Sequence, residues 1–164
     1  MDLRFTPEEI AFRDEVRAFF KASVPEVVRR KMTEGHHLAK EDFVSWQRIL
    51  NKQGWAVPMW PEEYGGTGWD AVKYFIFKEE SQLAHAPDAL GFNVNLVGPV
   101  ICRFGTEEQK KRFLPALRNL DIWFCQGFSE PGSCSDLASL KTRAVREGDH
   151  YVVNGQKQIG RAHV

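Results

Sequence analysis

The chain opens on a helical rhythm. Phe12, Val16, Phe19 and Phe20 recur at spacings that lay one apolar stripe along a first helix. Thr6 is placed to cap it, Pro7 fits its first turn, and Glu9 completes a Thr-x-x-Glu capping box. Phe5, before the cap, is placed to staple onto Ile10. Pro25 restarts a shorter helix through Val27, Val28 and Met32, and Gly35, His36 and His37 read as a loop. A third helix is predicted over about 40–53, with Phe43, Trp46, Ile49 and Leu50 on its buried face and Gly54 at its end. Residues 54–69, GWAVPMWPEEYGGTGW, predict a long ordered loop, because so many rings must pack onto something. From about 70 to 86 a fourth helix is apolar on several sides (Tyr74, Phe75, Ile76, Phe77, Leu83), which predicts burial between other helices. Residues 87–104, rich in small and apolar side chains, predict a further buried helix. Thr106 and Gln109 form a second capping box, opening a helix that carries Phe113, Leu114 and Leu117.

The rhythm changes at Asp121. Ile122 to Gln126 reads as a strand, followed by the turn-rich stretch FSEPGSCSD. Two strands are predicted near 142–146 and 150–153, joined by Glu147-Gly148-Asp149. Asn154-Gly155 is a strong hairpin turn, and a third strand is expected to begin near Lys157. A few open-edged strands cannot bury a core alone. The expected fold class is therefore α+β overall: an all-α helical domain over residues 1–120, then the truncated start of a β domain over 121–157.

Composition removes several function classes. Lysine plus arginine equal aspartate plus glutamate, giving a formal net charge of zero. Neither nucleic acid nor an anionic membrane surface is then expected as the main partner. The three cysteines (Cys102, Cys125, Cys134) form no CxxC pair, which argues against a disulfide scaffold and a structural zinc site. No apolar run is long enough to span a bilayer, and the N-terminus lacks a signal-peptide layout. A cytoplasmic protein is expected.

Most motif-like features have plain explanations. Gly66-Thr67-Gly68-Trp69-Asp70-Ala71 matches G-x-G-x-x-A, but no strand precedes it and no βαβ unit follows. The adjacent glutamate pairs 8/9, 62/63, 79/80 and 107/108 cannot share a helix face, so helix-start charge or solvated surface accounts for them. His36 and His37 lack ligand spacing to a third residue, and no metal site is expected. Ser129, Ser133 and Ser135 lie in no G-x-S-x-G elbow. Alone, FSEPGSCSD is a turn; it also gathers hydroxyls and backbone N–H groups able to hold a polar cofactor edge or a phosphate.

Three blocks carry a resemblance. Gln126–Leu137 (QGFSEPGSCSDL), Phe104–Lys110 (FGTEEQK) with Phe113-Leu114-Pro115, and Asn154–Lys157 (NGQK) resemble the acyl-CoA dehydrogenases, in that family's order. Loop 54–69 and the opening MDLRFTPEEI are similar to the pimeloyl-CoA branch of that family. The resemblance implies a helical N-terminal domain, a β-barrel middle domain whose truncated start is 121–157, and a C-terminal helical bundle, with FAD as cofactor. It implies α,β-dehydrogenation of an acyl-CoA thioester, of pimeloyl-CoA or another dicarboxylyl-CoA. It implies further that a carboxylate base takes the α-proton, that the β-hydride passes to the flavin, and that an electron-transfer flavoprotein then takes the electrons. Such a site must stabilise enolate-like charge and exclude water. A homo- or hetero-oligomer is implied as well.

Residue by residue, the resemblance places Gln126, Phe128 and Ser129 along the flavin ring, with Ser129 bonding it. Ser135 falls at a position tied to cofactor and CoA arm, and Phe92 and Leu96, within 92–99, help wall the acyl pocket. No catalytic residue is assigned, because the resemblance puts the base in a C-terminal domain beyond this chain. Two departures stand out. Cys134 replaces a glycine of the family pattern, and no Trp follows Lys157. Residues 158–164 match the translation of a common sequencing adapter, so they are expected to be non-native and the chain an inactive fragment. The competing readings are a non-catalytic helical interaction module and a flavin oxidase on the same fold.

Overall fold

The computed structural model describes residues 4–159. The chain divides into two compact units, Met1–Trp123 and Phe124–Val164. The first is helical. Helix α1 spans Pro7–Ser23, α2 Glu26–Thr33, α3 Lys40–Gln53 and α4 Ala71–Leu83. A π-helix, Phe92–Val97, runs into α5, Gly98–Phe104, and α6 spans Glu107–Arg118.

The caps form where the sequence places them. The Thr6 hydroxyl accepts from the Glu9 N–H at 3.2 Å, and the Glu9 carboxylate accepts from the Thr6 N–H at 2.6 Å. Thr106 and Gln109 repeat the exchange at the start of α6. Each pairing satisfies backbone donors that a helix N-terminus leaves open. Gly54 ends α3 at φ 83°.

Helix α1 packs along α4, and the core between them is aromatic. Phe20 lies 5.7 Å from Trp46 of α3 and 5.4 Å from Phe77 of α4, ring centre to ring centre. The loop 54–69 supplies the rest: Trp55 stacks edge-on to Phe19 at 4.7 Å, and Trp69 meets Phe12 at 5.1 Å. The loop is thus an ordered part of the core, as its ring content predicts. Two buried indole N–H groups find carbonyls, Trp46 on Pro87 at 3.1 Å and Trp60 on Val94 at 2.7 Å.

Two helices are less buried than their sequences predict. On α4 only Ile76, Phe77, Glu80 and Ser81 are buried, while Val72, Phe75 and Leu83 are exposed. In the 87–104 stretch the residues before Gly91 are not helical, and Leu96, Val100 and Phe104 face out. Apolarity on several sides signals two-sided burial only when neighbours exist on both sides. Val27 of α2 is likewise exposed, and Val28 takes the core position.

The second unit holds an antiparallel pair, β1 (Arg143–Glu147) and β2 (His150–Asn154), in the register Val145 opposite Val152. The predicted strand over 122–126 does not form; the segment joins no ladder among the described residues. A strand needs a hydrogen-bonded neighbour, and segment 122–126 has none among the described residues. Nor does the third strand expected from Lys157 begin among the described residues, where 155–159 is irregular. Of the stretch expected to be non-native, residues 160–164 lie outside the described residues. The fold is a helical domain followed by a short two-stranded antiparallel sheet.

Candidate functional site

The second unit is organised around a turn and one buried carboxylate. Glu130 and Ser133 exchange backbone hydrogen bonds, the Glu130 N–H on the Ser133 carbonyl at 2.8 Å and the Ser133 N–H on the Glu130 carbonyl at 3.1 Å. Pro131-Gly132 form the bend between them. The Glu130 residue is only 6% exposed. Its carboxylate accepts from the Lys141 N–H at 2.7 Å, the Thr142 N–H at 3.0 Å and the Lys157 ammonium at 2.9 Å. Lys157 also donates to the Phe128 carbonyl at 3.0 Å, and the Gln158 N–H donates to the Ser129 carbonyl at 2.7 Å. Ser133 and Ser139 donate to the Asp136 carbonyl and carboxylate.

These donors hold the Glu130 carboxyl at about 2, with the Thr142 side chain first in effect, then the Lys141 amide and Lys157. The Thr142 hydroxyl acts by proximity, for its buried oxygen makes no well-formed hydrogen bond among the described residues. The folded value lies below the ordinary 4.5. The stabilisation is therefore complete above pH 4.5 and is lost as pH falls towards about 2. Loosening of the turn across that window is expected by NMR of the Ser129 and Thr142 amides. Glu130→Gln should abolish that pH dependence; an unchanged acid transition would refute the assignment.

Ser129 sits in the turn, half-buried, its hydroxyl 3.6 Å from the Cys134 sulfur. Phe128 is 73% exposed, Ser135 is exposed, and Gln126 is half-buried. These four belong to one short segment with outward-facing chemistry. Cys134 carries no backbone strain. Among the described residues only His85 and Leu120 are non-glycines with positive φ. The cysteine therefore occupies an ordinary backbone position.

Phe92 and Leu96 belong to the helical unit, within the π-helix. Phe92 is half-buried and Leu96 is 49% exposed. A cavity of about 340 Å³ lies beside them, walled by Trp55, Met59, Tyr74, Phe77, Val94 and Asn95 among others. From the π-helix it takes Val94 and Asn95 rather than Phe92 or Leu96. A π-helix widens one turn and re-aims its side chains, which periodicity alone does not reveal.

The glycine motif of loop 54–69 is structural. A Cβ on Gly66 would stand 1.6 Å from the Trp60 carbonyl oxygen, so the residue is small because backbone meets backbone there. Among the described residues no three His, Cys, Asp or Glu side chains converge as a metal site. No helix among them is long and apolar enough to cross a membrane.

The fold recurs in solved structures. The chain matches the ChsE4–ChsE5 complex of Mycobacterium tuberculosis with a TM-score of 0.74 and 39% identity, covering 96% of this chain and 39% of that one. It matches the Tcur3481–Tcur3483 steroid ACAD with a TM-score of 0.76 and 41% identity, covering 96% and 40%. The matches thus take in residues of both units.

Residues 6–121 match the family profile "Acyl-CoA dehydrogenase, N-terminal domain", and the chain belongs to the acyl-CoA dehydrogenase family. The acyl-CoA dehydrogenase FadE26 of M. tuberculosis is 38% identical over 159 residues. The chain spans about 40% of the length of that relative.

The turn fits a flat heteroaromatic such as the FAD ring. Its backbone acceptors at 128–130 are occupied internally, and so is the Glu130 N–H, which leaves the Phe128 and Ser129 N–H groups and the Phe128 ring for a ligand. A flavin edge presents mostly acceptors, which such a donor set suits. When bound, FAD supplies the acceptor for hydride.

Proposed function

We propose that this chain is the N-terminal part of an FAD-dependent acyl-CoA dehydrogenase acting on a bulky, steroid-type acyl-CoA. What supports the reading is the 41% identity to a steroid ACAD in a match that covers 96% of this chain. Gln126, Phe128 and Ser129 would hold the flavin ring, with Ser129 donating a hydroxyl and an N–H to its edge. Ser135 would lie against the cofactor and the CoA arm. The cavity beside the π-helix, with Phe92 and Leu96 near it, would take the apolar acyl end. The protein's part is to orient the thioester, keep water out and stabilise charge on its carbonyl.

The base belongs to a further domain, and the hairpin begins a β-barrel. The electron acceptor is an electron-transfer flavoprotein, and the compartment is the cytoplasm. The partner is a second acyl-CoA dehydrogenase subunit, since the ChsE4–ChsE5 and Tcur3481–Tcur3483 structures each pair two chains by name.

The test uses the whole protein. It should purify yellow and bleach without oxygen on addition of a steroid acyl-CoA. Bleaching by pimeloyl-CoA instead would favour the dicarboxylyl substrate to which loop 54–69 points. Oxygen uptake without an added acceptor would mark an oxidase. A colourless protein that binds no flavin would leave a helical interaction module. Ser129→Ala should lower flavin retention severalfold, read as the absorbance ratio of flavin to protein; an unchanged ratio would remove Ser129 from the site.

A further inference from the structure

The Glu130–Lys157 pair anchors the turn, and its geometry bears on which groups the turn exposes. Lys157 approaches alongside Gly127, where a Cβ on the glycine would lie 3.6 Å from the lysine Cβ. Its ammonium then bridges the Phe128 carbonyl at 3.0 Å and the Glu130 carboxylate at 2.9 Å. The next residue, Gln158, takes the Ser129 carbonyl, and the Ser133 N–H takes that of Glu130. Three consecutive carbonyls, 128 to 130, are thus occupied from inside the unit. The Glu130 N–H is taken by the Ser133 carbonyl, while the Phe128 and Ser129 N–H groups make no backbone hydrogen bond among the described residues and so form the donor face, with Phe128 projecting beside it.

We propose that Lys157 and Glu130 are positioning residues. They draw the acceptors of the 128–130 segment inward so that a ligand rich in acceptors meets only donors. The inference rests on the flavin reading of the turn. A carbonyl released towards the ligand would oppose the flavin's own carbonyl oxygens, and buried like dipoles that cannot pair weaken binding. The ion pair is charge-assisted on both arms, which suits it to fixing geometry rather than merely filling space.

The test is made in the whole protein with FAD as the probe. Lys157→Met and Glu130→Gln should each raise the FAD dissociation constant at least tenfold, by fluorescence titration. They should also shift the flavin absorbance bands, because the ring would meet a different set of dipoles. Lys157→Arg keeps the charge and the donors and should restore most of the affinity. Lys73→Met, on the helical unit, is the control and should change nothing. Hydrogen exchange at Val145 and Val152 reports whether the hairpin stays folded. Weakened FAD binding with hairpin protection retained, and rescue by arginine, supports the proposal. Wild-type affinity and spectrum in both variants overturns it while leaving the flavin reading intact. Loss of hairpin protection in both, without rescue by arginine, overturns it as well, since the pair then only holds the fold. A wild-type protein that binds no FAD removes the flavin reading and this inference together.

Discussion

Trp46→Ala should destabilise the helical unit by about 3–5 kcal/mol, the range for deleting a large buried aromatic. Trp46 is 1% exposed and touches Phe19 and Phe20 of α1, so its loss opens a void at the junction of α1 and α3. The Pro87 carbonyl, 3.1 Å from the indole nitrogen, would lose its donor at the same time. The two effects separate with Trp46→Phe, which keeps most of the volume but not the N–H. That variant should cost about 1–3 kcal/mol, the range for a buried acceptor left unpaired. Urea unfolding followed by far-ultraviolet dichroism measures both. A loss below about 1 kcal/mol in Trp46→Ala would mean that the aromatic cluster is not the centre of the core.

How far such a core can be read from sequence depends on the range of the interactions. Thr6 with Glu9 and Thr106 with Gln109 act over three residues, and their capping boxes form as the pattern predicts. Trp46, Leu50, Val16 and Phe20 follow helical period and are buried as expected. Gln47 and Asn93 are fully buried although polar, and periodicity assigns neither. Gln47 donates to the Ala56 and Arg118 carbonyls, and Asn93 to Ile122 at 2.7 Å. Their partners are loop or helix-end carbonyls up to 71 residues away, so no local pattern marks them. The same holds for the π-helix, where the Trp60 indole reaches the Val94 carbonyl across 34 residues.

The candidate site divides in the same way. The turn at 129–136 announces itself through Gly, Pro and Ser, whose backbone preferences are local. Its anchoring does not: Glu130 meets Lys141 and Thr142 at 11 and 12 positions' distance, and the Phe128 carbonyl meets Lys157 at 29. A glutamate just before Pro-Gly reads as a solvated turn residue until the chain folds back upon it. The strands over 122–126 and from 157 fail for a related reason. Strand propensity states what a segment accepts, while pairing decides what it becomes.

Gly98→Ala makes the sharpest test of the geometry that carries the π-helix. A Cβ on Gly98 would stand 2.0 Å from Trp60 Cζ2 and 2.7 Å from the Asn93 carbonyl oxygen. The ring can move, but only by giving up the Trp60 hydrogen bond to Val94, 2.7 Å long and buried. The carbonyl cannot move without unwinding the π turn. The variant should therefore lose about 1–3 kcal/mol, as overpacked sites do, and its buried-tryptophan fluorescence should shift to the red. Trp60→Leu relieves the clash, so the double variant should be more stable than the sum of the two single losses requires, with a coupling of about 0.5–3 kcal/mol. Strict additivity would separate Gly98 from Trp60. The small residue would then owe nothing to the indole, and the π-helix would need another cause.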